Sequence, residues 1–304
     1  MALLAAIAAP SADADEALEG LDKRWKKLTG DEKIEELGAL DNVRSPDLIA
    51  YCKRWLADPN VRVRTALVQV LAHTAIDNEL RERAEKVLAL YLDKHLDWRA
   101  DEEKREFNRV CKKYGRSIPP DSEMQAGPNW QDPWDEDKRT LPGMILAERK
   151  HMMGVLASIE EARCRSLRQQ LQRLFREHHD PEVLVRVVKL FGAWKEYRLL
   201  PDMADLARIQ AEGRMVGGTD AGNKDYETQR LKWDVHKDRL WWSRPQYVTR
   251  VSYPIAEAAS KTTGAEIRFA RDLDAWILAN ESLLRKKGVP ITSAFRRRAA
   301  TTQK

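Results

Sequence analysis

Residues 57–64 read Ala57-Asp58-Pro59-Asn60-Val61-Arg62-Val63-Arg64 and join two segments with a helical apolar period. The pattern recurs as Asp180-Pro181-Glu182-Val183-Leu184-Val185-Arg186. Asp-Pro is typical of a helix start, because aspartate caps the helix and proline in the first turn lacks only an N–H that has no helical acceptor. Helix pairs that close on such turns and recur along the chain predict an all-α protein, an α-solenoid of stacked pairs.

Apolar residues recur at the helical period over most of the chain. In the first third, the predicted faces contain Leu48, Cys52, Trp55 and Leu56, then Val63, Leu67, Val70 and Leu71, then Leu80, Ala84, Val87, Leu88, Tyr91 and Leu92. The period returns in Leu167, Leu171, Leu174 and Phe175, in Val183, Val187, Leu190, Phe191 and Trp194, and in Phe269, Leu273, Trp276 and Ile277. Stripes this wide must pack against neighbouring helices. Residues 101–114 predict a separate polar helix, and no segment predicts a strand.

Two Pro/Gly-rich breaks interrupt this pattern. Residues 115–143 hold eight glycine and proline residues, and residues 211–224 hold Gly217-Gly218 without the Lys-Ser or Lys-Thr pair of a phosphate-binding loop. The predicted segments are a signal-like or disordered arm (1–17), a first helical array (18–114), a Pro/Gly/Trp-rich loop (115–143), a second helical array (144–210), a Gly-rich loop (211–224), a C-terminal helical module (225–288) and a basic tail (289–304).

The formal net charge of +5 is concentrated at the C-terminal end of the chain. From Arg285 to Lys304 there are seven basic residues and no acidic residue. The rest of the chain is close to neutral, which argues against a protein that is basic over its whole surface. We expect residues 289–304 to be solvated and disordered, as terminal runs of charge usually are.

The N-terminal residues allow two interpretations. Residues 2–9 resemble the apolar core of a signal peptide, and Ala12-Asp13-Ala14 fits the small-x-small cleavage pattern, although a positively charged leader is missing. We favour export to the periplasm or the medium, with cleavage after Ala14 and a start codon assigned too late. The alternative is an alanine-rich disordered arm on a cytoplasmic protein.

Three groups of residues raise the question of metal or redox chemistry. The cysteines Cys52, Cys111 and Cys164 have no metal-ligand spacing, and we expect Cys52 and Cys164 to be small buried hydrophobes. His178 and His179 are interpreted as a solvated helix C-terminus. Glu148 and His151 have the i, i+3 spacing of di-iron sites, but the motif occurs once and such a site needs two copies. The sequence therefore predicts no metal site, no cofactor and no catalytic residue.

Residues 229–247 interleave basic and aromatic side chains, a composition that can contact phosphates and stack on bases. The candidate anion contacts are Arg230, Lys232, Lys237, Arg239 and Arg244. Acidic residues in the same segment dilute the positive charge, and Trp233, His236 and Leu240 have the spacing of a packed helical face. We therefore favour packing over nucleic-acid binding for this segment.

The Asp-Pro-x-Val unit that closes a helix pair resembles HEAT repeats, best over residues 45–95 and 155–210. The run Thr263-Gly264-Ala265-Glu266-Ile267, followed by Asp272-Leu273-Asp274-Ala275-Trp276-Ile277, is similar to the closing module of HEAT-repeat proteins from planctomycete-type bacteria. The resemblance implies a bacterial, often exported, armadillo-like protein, and it brings no catalytic residue.

We expect a non-catalytic scaffold that binds another protein through its helical-repeat surface. The candidate contact residues are the aromatic side chains Trp130, Trp134, Trp241 and Trp242. The alternative is a nucleic-acid-binding or DNA glycosylase-like helical-repeat protein that uses residues 229–247. A lyase or a small-molecule carrier also stays open, since either needs a cavity that sequence does not reveal.

Overall fold

A computed structural model describes residues 11–41, 43–114, 141–178, 181–216 and 244–302. These residues form thirteen α-helices and no strand, so the protein is all-α, as predicted. The helices are α1 Ser11–Trp25, α2 Gly30–Ala39, α3 Pro46–Trp55, α4 Val61–Thr74, α5 Asn78–Tyr114, α6 Leu141–Glu161, α7 Arg168–Glu177, α8 Pro181–Trp194, α9 Leu200–Val216, α10 Arg244–Thr263, α11 Ala270–Ala279, α12 Glu281–Lys286 and α13 Ser293–Thr302. No helix in these ranges is both long and apolar enough to cross a bilayer.

The chain divides into two compact units. The first contains the described residues up to Trp98 together with those of 122–170, and the second contains the described residues of 99–121 and 171–304. Helix α5 contributes to both units, because it is continuous through residues 78–114. The sequence predicted two helices here, and the polar residues after Trp98 extend the first helix instead of starting a new one.

In the first unit, α1 packs on α3, α2 packs on α4, and α4 also contacts α3 and α6. Two tryptophans join α1 to α3: the rings of Trp25 and Trp55 stack with centroids 4.3 Å apart, and Trp55 Nε1 donates to Asp22 at 2.7 Å. The apolar faces predicted for α3, α4 and the first half of α5 are buried. Periodicity therefore located the core of this unit correctly.

The Asp58-Pro59 corner differs from its prediction. Asn60 caps α4, since its side chain accepts from the N–H of Arg62 at 2.9 Å. Asp58 is buried and accepts from the N–H of Asn60 at 2.9 Å and from Lys33 Nζ at 2.7 Å. The expected role of Asp58 as helix cap was wrong, because its carboxylate pairs with a lysine on α2. The second Asp-Pro pair agrees better with the prediction, because Pro181 is the first residue of α8.

In the second unit, α10 packs along both α8 and α9. A Cβ added to Gly192 on α8 would lie 2.9 Å from the Cα of Ala258 on α10, which shows how closely the two backbones approach. α10 ends at Thr263, where Gly264 has a φ of 73°, a conformation that favours glycine. This stop was predicted from Thr263-Gly264.

The basic tail is folded, which corrects the prediction of disorder. Residues 293–302 form α13, which packs on α9 and α11. The segment folds because it buries the apolar side chains of Val289, Ile291, Phe295 and Ala299. The prediction of disorder considered only the charged residues. Proline at position 290 and the irregular spacing of the apolar residues hide them from a search for helical periods.

Other boundaries and faces also differ from the predictions. Residues 211–216 belong to α9 and residues 141–143 to α6, although both stretches were predicted as loop. Proline at position 142 is compatible with the first turn of α6, where its missing N–H is not needed. Phe269 precedes α11 and is largely exposed, so only Leu273 and Ile277 of the predicted α11 face are fully buried.

Candidate functional site

The candidate contact residues named from sequence lie outside the described residues. This holds for Trp130, Trp134, Trp241 and Trp242, and for the anion contacts Arg230, Lys232, Lys237 and Arg239. The backbone of Arg244 starts α10, but its side chain is outside what the structure describes. The role of each stays a prediction, and the functional site must be sought elsewhere.

A cluster of polar side chains lies inside the first unit, and we call it the histidine cluster. Its members come from three helices, with Arg64 and Thr65 on α4, Tyr91 and His95 on α5, and Glu148 and His151 on α6. His151 is at the centre and has no exposed surface. Its Nδ1 lies 2.7 Å from Thr65 Oγ1, and its Nε2 lies 2.7 Å from the hydroxyl of Tyr91.

The partners of the cluster fix the direction of each hydrogen bond. Thr65 Oγ1 donates its one proton to the carbonyl of Val61 at 2.8 Å, so it must accept a proton from His151 Nδ1. His151 Nε2 is then the acceptor for the Tyr91 hydroxyl. A one-way chain therefore runs from Tyr91 through His151 and Thr65 to the carbonyl of Val61.

Burial sets the charge state of this chain. It lowers the pKa of His151 well below the usual value of 6.5, an effect to which the nearby charges of His95 and Arg64 add, while Glu148 opposes it. Burial also raises the pKa of the Tyr91 phenol. Both groups are therefore neutral at pH 7, which is what the chain of hydrogen bonds requires.

Glu148 and His151 do not act as a pair, in spite of their i, i+3 spacing. Both carboxylate oxygens of Glu148 lie within 3.0 Å of His95 Nε2, and both nitrogens of His151 have other partners. No group of three or more His, Cys, Asp or Glu side chains that could hold a metal ion occurs in the described part of the chain. The spacing reflects two separate contacts from α6 to α5 and α4.

The histidine cluster supports an exposed tryptophan. The guanidinium of Arg64 lies 5.9 Å from the ring centroid of Trp98, and the ring of His95 lies 5.4 Å from it. Trp98 is nevertheless 44% exposed. Leu90, on the same helix, is 46% exposed, although leucine is usually buried. An apolar surface residue is common, but the contacts of this tryptophan with an arginine and a histidine restrict the orientation of its ring.

Trp98 and Leu90 belong to one line of side chains on α5. Lys86, Leu90, Lys94 and Trp98 follow each other at intervals of four residues, and all four are exposed. Side chains at i and i+4 are neighbours on a helix surface. We call this line of alternating lysine and apolar side chains the α5 row.

The second unit contains a different buried cluster, here the ionic cluster. Arg208 forms ion pairs with Asp274 and Asp205, and Asp205 also pairs with Arg298 at 2.7 Å. Asp274 has no exposed surface, and its Oδ2 has no hydrogen-bond partner among the described residues. Burial raises the pKa of Asp274, and Arg208 opposes the shift.

The remaining candidates for chemistry whose side chains the structure describes are Cys52, Cys164 and His178, and they are buried. Cys52 and Cys164 are free and fully buried, as predicted. Burial raises the pKa of Cys164 to about 12, so this thiol is not a nucleophile at pH 7. His178 is buried as well, which corrects the expectation of a solvated helix end.

Tyr91, His95, Arg64 and Thr65 were not selected from the sequence. Tyr91 was assigned to the apolar face of its helix, and His95 follows it by one turn on the same buried face. A polar ring inside an apolar stripe is a signal that could have identified Tyr91 and His95, but it does not apply to Arg64 and Thr65.

Comparison with known proteins gave no match to a family model, to a curated protein or to a solved structure.

Proposed function

We propose that this chain is a non-catalytic helical scaffold that binds a protein partner through the α5 row. The proposal rests on the environment of Trp98, whose ring is exposed and at the same time packs on Arg64 and His95. A tryptophan whose orientation is already restricted loses less conformational freedom when it binds. Tryptophan is also among the residues that contribute most to the affinity of protein interfaces.

The α5 row favours a partner of defined chemistry. Leu90 and Trp98 offer apolar area, and Lys86 and Lys94 place a positive charge beside each. A complementary surface has carboxylates that flank an apolar strip, as on one face of an acidic amphipathic helix.

The histidine cluster favours a structural role over a catalytic one. A general acid or base needs one hydrogen-bonding atom that can reach a substrate. Both nitrogens of His151 are bound to protein side chains, and the Oγ of Thr65 is bound on both sides. The cluster therefore serves to fix α4, α5 and α6 against each other beneath Trp98.

The HEAT-like arrangement belongs to the same proposal. Within residues 11–74, α1 packs on α3, α2 on α4, and α3 on α4. Contacts between alternate helices are what stacked helix pairs produce. The turn before Val61 and the Thr263-Gly264 stop agree with a repeat array, and an array offers a long surface for partners.

A differential capture experiment tests the scaffold proposal. The full chain, the Leu90→Ala/Trp98→Ala variant and the control Ile76→Ala would each be used to capture proteins from the source cell, with quantitative mass spectrometry. Ile76 is exposed to a similar degree and lies off the row, so it controls for the loss of apolar surface. We expect at least one protein retained by the control and lost from the row variant.

The captured protein, once purified, should bind the full chain directly in calorimetry. We expect the row variant to lose about 2 kcal/mol of binding free energy, roughly 30-fold in affinity. Equal recovery by all three proteins would rule out the α5 row as the binding surface.

Two further expectations remain open as proposals. Nucleic-acid binding through residues 229–247 is the alternative function, and it would weaken steeply with salt. Export with cleavage after Ala14 is the proposed localisation, and N-terminal sequencing of the mature protein would test it. Neither is needed for the α5 row to bind a partner.

A further inference from the structure

The C-terminal end of the second unit carries most of the net charge of the chain. Its cations are Arg285, Lys286, Lys287, Arg296, Arg297 and Arg298, all of them exposed on or next to α12 and α13. Two carboxylates pair with members of this set, Glu281 and Asp205. We call these six cations the basic face. Six positive charges against two negative ones leave an excess close to the whole chain's net charge of +5.

The basic face is built on a folded support. Leu284, Val289, Ile291, Phe295 and Ala299 are buried beneath it, and α13 packs on α9 and α11. Glu281 bridges the two helices, because it accepts from Arg285 and from Arg296, each at 3.2 Å. Arg285 and Arg296 are therefore held beside each other, which a disordered tail would not do.

We infer that the basic face binds the phosphate backbone of nucleic acids without sequence preference. Such binding needs only cations that are close together and accessible, since it is driven by the release of counterions from the phosphates. Arginine adds paired hydrogen bonds to phosphate oxygens. The exposed ion pairs to Glu281 and Asp205 are weak, so a phosphate can replace a carboxylate at small cost.

The composition of the face disfavours other partners. A protein interface has an apolar or aromatic centre, but no large hydrophobic residue on α12 or α13 is among the exposed ones of the described chain. Binding to a membrane surface needs an amphipathic helix with its apolar side free for lipid. The apolar side of α13 is already buried at Phe295 and Ala299.

Fluorescence anisotropy with a labelled random-sequence DNA duplex of about 24 base pairs tests the inference, in NaCl from about 50 to 300 mM. The face variant is Lys286→Gln/Lys287→Gln/Arg297→Gln. The control variant is Lys26→Gln/Lys27→Gln/Lys53→Gln, which removes the same charge from exposed positions in the first unit. Circular dichroism checks that both variants stay folded.

We expect the full chain and the control variant to bind with similar affinity. The face variant should bind more than tenfold more weakly at the lowest salt. Its slope of log K against log salt should be shallower by about 3, one unit for each lost phosphate contact.

Three results would overturn the inference. A flat titration at the lowest salt would show that the face does not bind nucleic acid. Equal affinity of the face and control variants would place the binding on another segment, such as residues 229–247. Binding to phosphatidylserine vesicles without binding to the duplex would assign the face to a membrane surface.

Discussion

The two buried polar clusters both join helices through polar side chains in an apolar interior, but one is neutral and the other is ionic. The histidine cluster in the first unit joins its helices through a neutral chain from the Tyr91 hydroxyl to the carbonyl of Val61, in which each hydrogen bond has one direction. The ionic cluster in the second unit joins α9, α11 and α13 through full charges, and it leaves Oδ2 of Asp274 without a partner among the described residues.

This difference shows what each cluster requires of its surroundings. A buried charge without a partner is costly, so the ionic cluster depends on Arg208 above all. A neutral network is satisfied bond by bond, so the loss of one hydroxyl removes one or two bonds and leaves no buried charge. The two clusters should therefore respond differently to substitution and to pH.

The largest effect is expected in the ionic cluster. Arg208→Met removes the cation that faces Asp274 and leaves a carboxylate in an apolar site, which should lower the free energy of unfolding by about 3–5 kcal/mol. Urea denaturation followed by circular dichroism would measure it. Arg298→Met is the control, because its pair with Asp205 is half exposed and should contribute about 1 kcal/mol or less. Similar losses in both variants would contradict the assignment of Asp274 as the sensitive group.

A smaller loss is expected when the neutral chain is cut. Tyr91→Phe removes the hydroxyl that donates to His151, at an expected cost of about 1–3 kcal/mol. Tyr51→Phe is the matched control, since Tyr51 is only partly buried and contacts Arg54 through its ring. The control should change the free energy of unfolding by less than about 0.5 kcal/mol. A neutral Tyr91→Phe variant would show that the chain does not stabilise the fold.

The pH dependence of stability should distinguish the clusters by sign. The folded-state pKa of His151 lies below 6.5, so the unfolded chain binds the proton more readily. The contribution of His151 is fully present above pH 6.5 and is lost as the pH falls below it, by at most about 1.4 kcal/mol per pH unit. Urea denaturation between pH 7.5 and 5 would show this slope, and His151→Gln should reduce it. A slope unchanged by His151→Gln would assign the titration to other groups.

Asp274 should act in the opposite sense. The pKa of Asp274 is higher in the folded state than in the unfolded chain, so folding opposes ionisation of this carboxyl, and its unfavourable contribution to stability grows as the pH rises through the folded-state pKa. Among the variants described above, Asp274→Asn should therefore show the smallest increase in the free energy of unfolding when the pH is lowered.

The smallest effect is expected from a substitution that keeps the chain intact. Thr65→Ser retains the hydroxyl between His151 and the Val61 carbonyl and loses one methyl group, which packs near Gly154. The expected cost is about 1 kcal/mol. Thr65→Val keeps the shape and loses the hydroxyl, and should cost more than Thr65→Ser. The reverse order, measured by urea denaturation, would show that the methyl packing outweighs the hydrogen bonds.

The sequence predicted most of the described helices and most of their buried faces, because apolar period is a local property. The helix over Val61–Thr74, the start at Pro181 and the stop at Thr263 were each recognisable within a few residues. The cap at Asn60 was missed, because the preference of Asp58 for Lys33 depends on a residue 25 positions away.

The candidate site could not be predicted from local patterns. His151 meets Tyr91 and Thr65 across 60 and 86 residues of chain, whereas the visible spacing was that of Glu148 and His151 on one helix. Trp98 was not distinguished from other tryptophans, since its exposure depends on how α4 and α5 pack. Residues 289–304 were wrongly predicted to be disordered, because their charged residues stand next to each other in the sequence, whereas their apolar residues are spaced irregularly.

The tautomer of His151 tests the central claim most directly. Long-range nitrogen–proton NMR correlation of the histidine rings, assigned with the His151→Gln variant, reports which nitrogen carries the proton and at what pH the ring titrates. We predict a neutral ring with its proton on Nδ1 and no titration between pH 7.5 and 6. A proton on Nε2, or a midpoint near 6.5, would contradict a neutral one-way chain beneath Trp98.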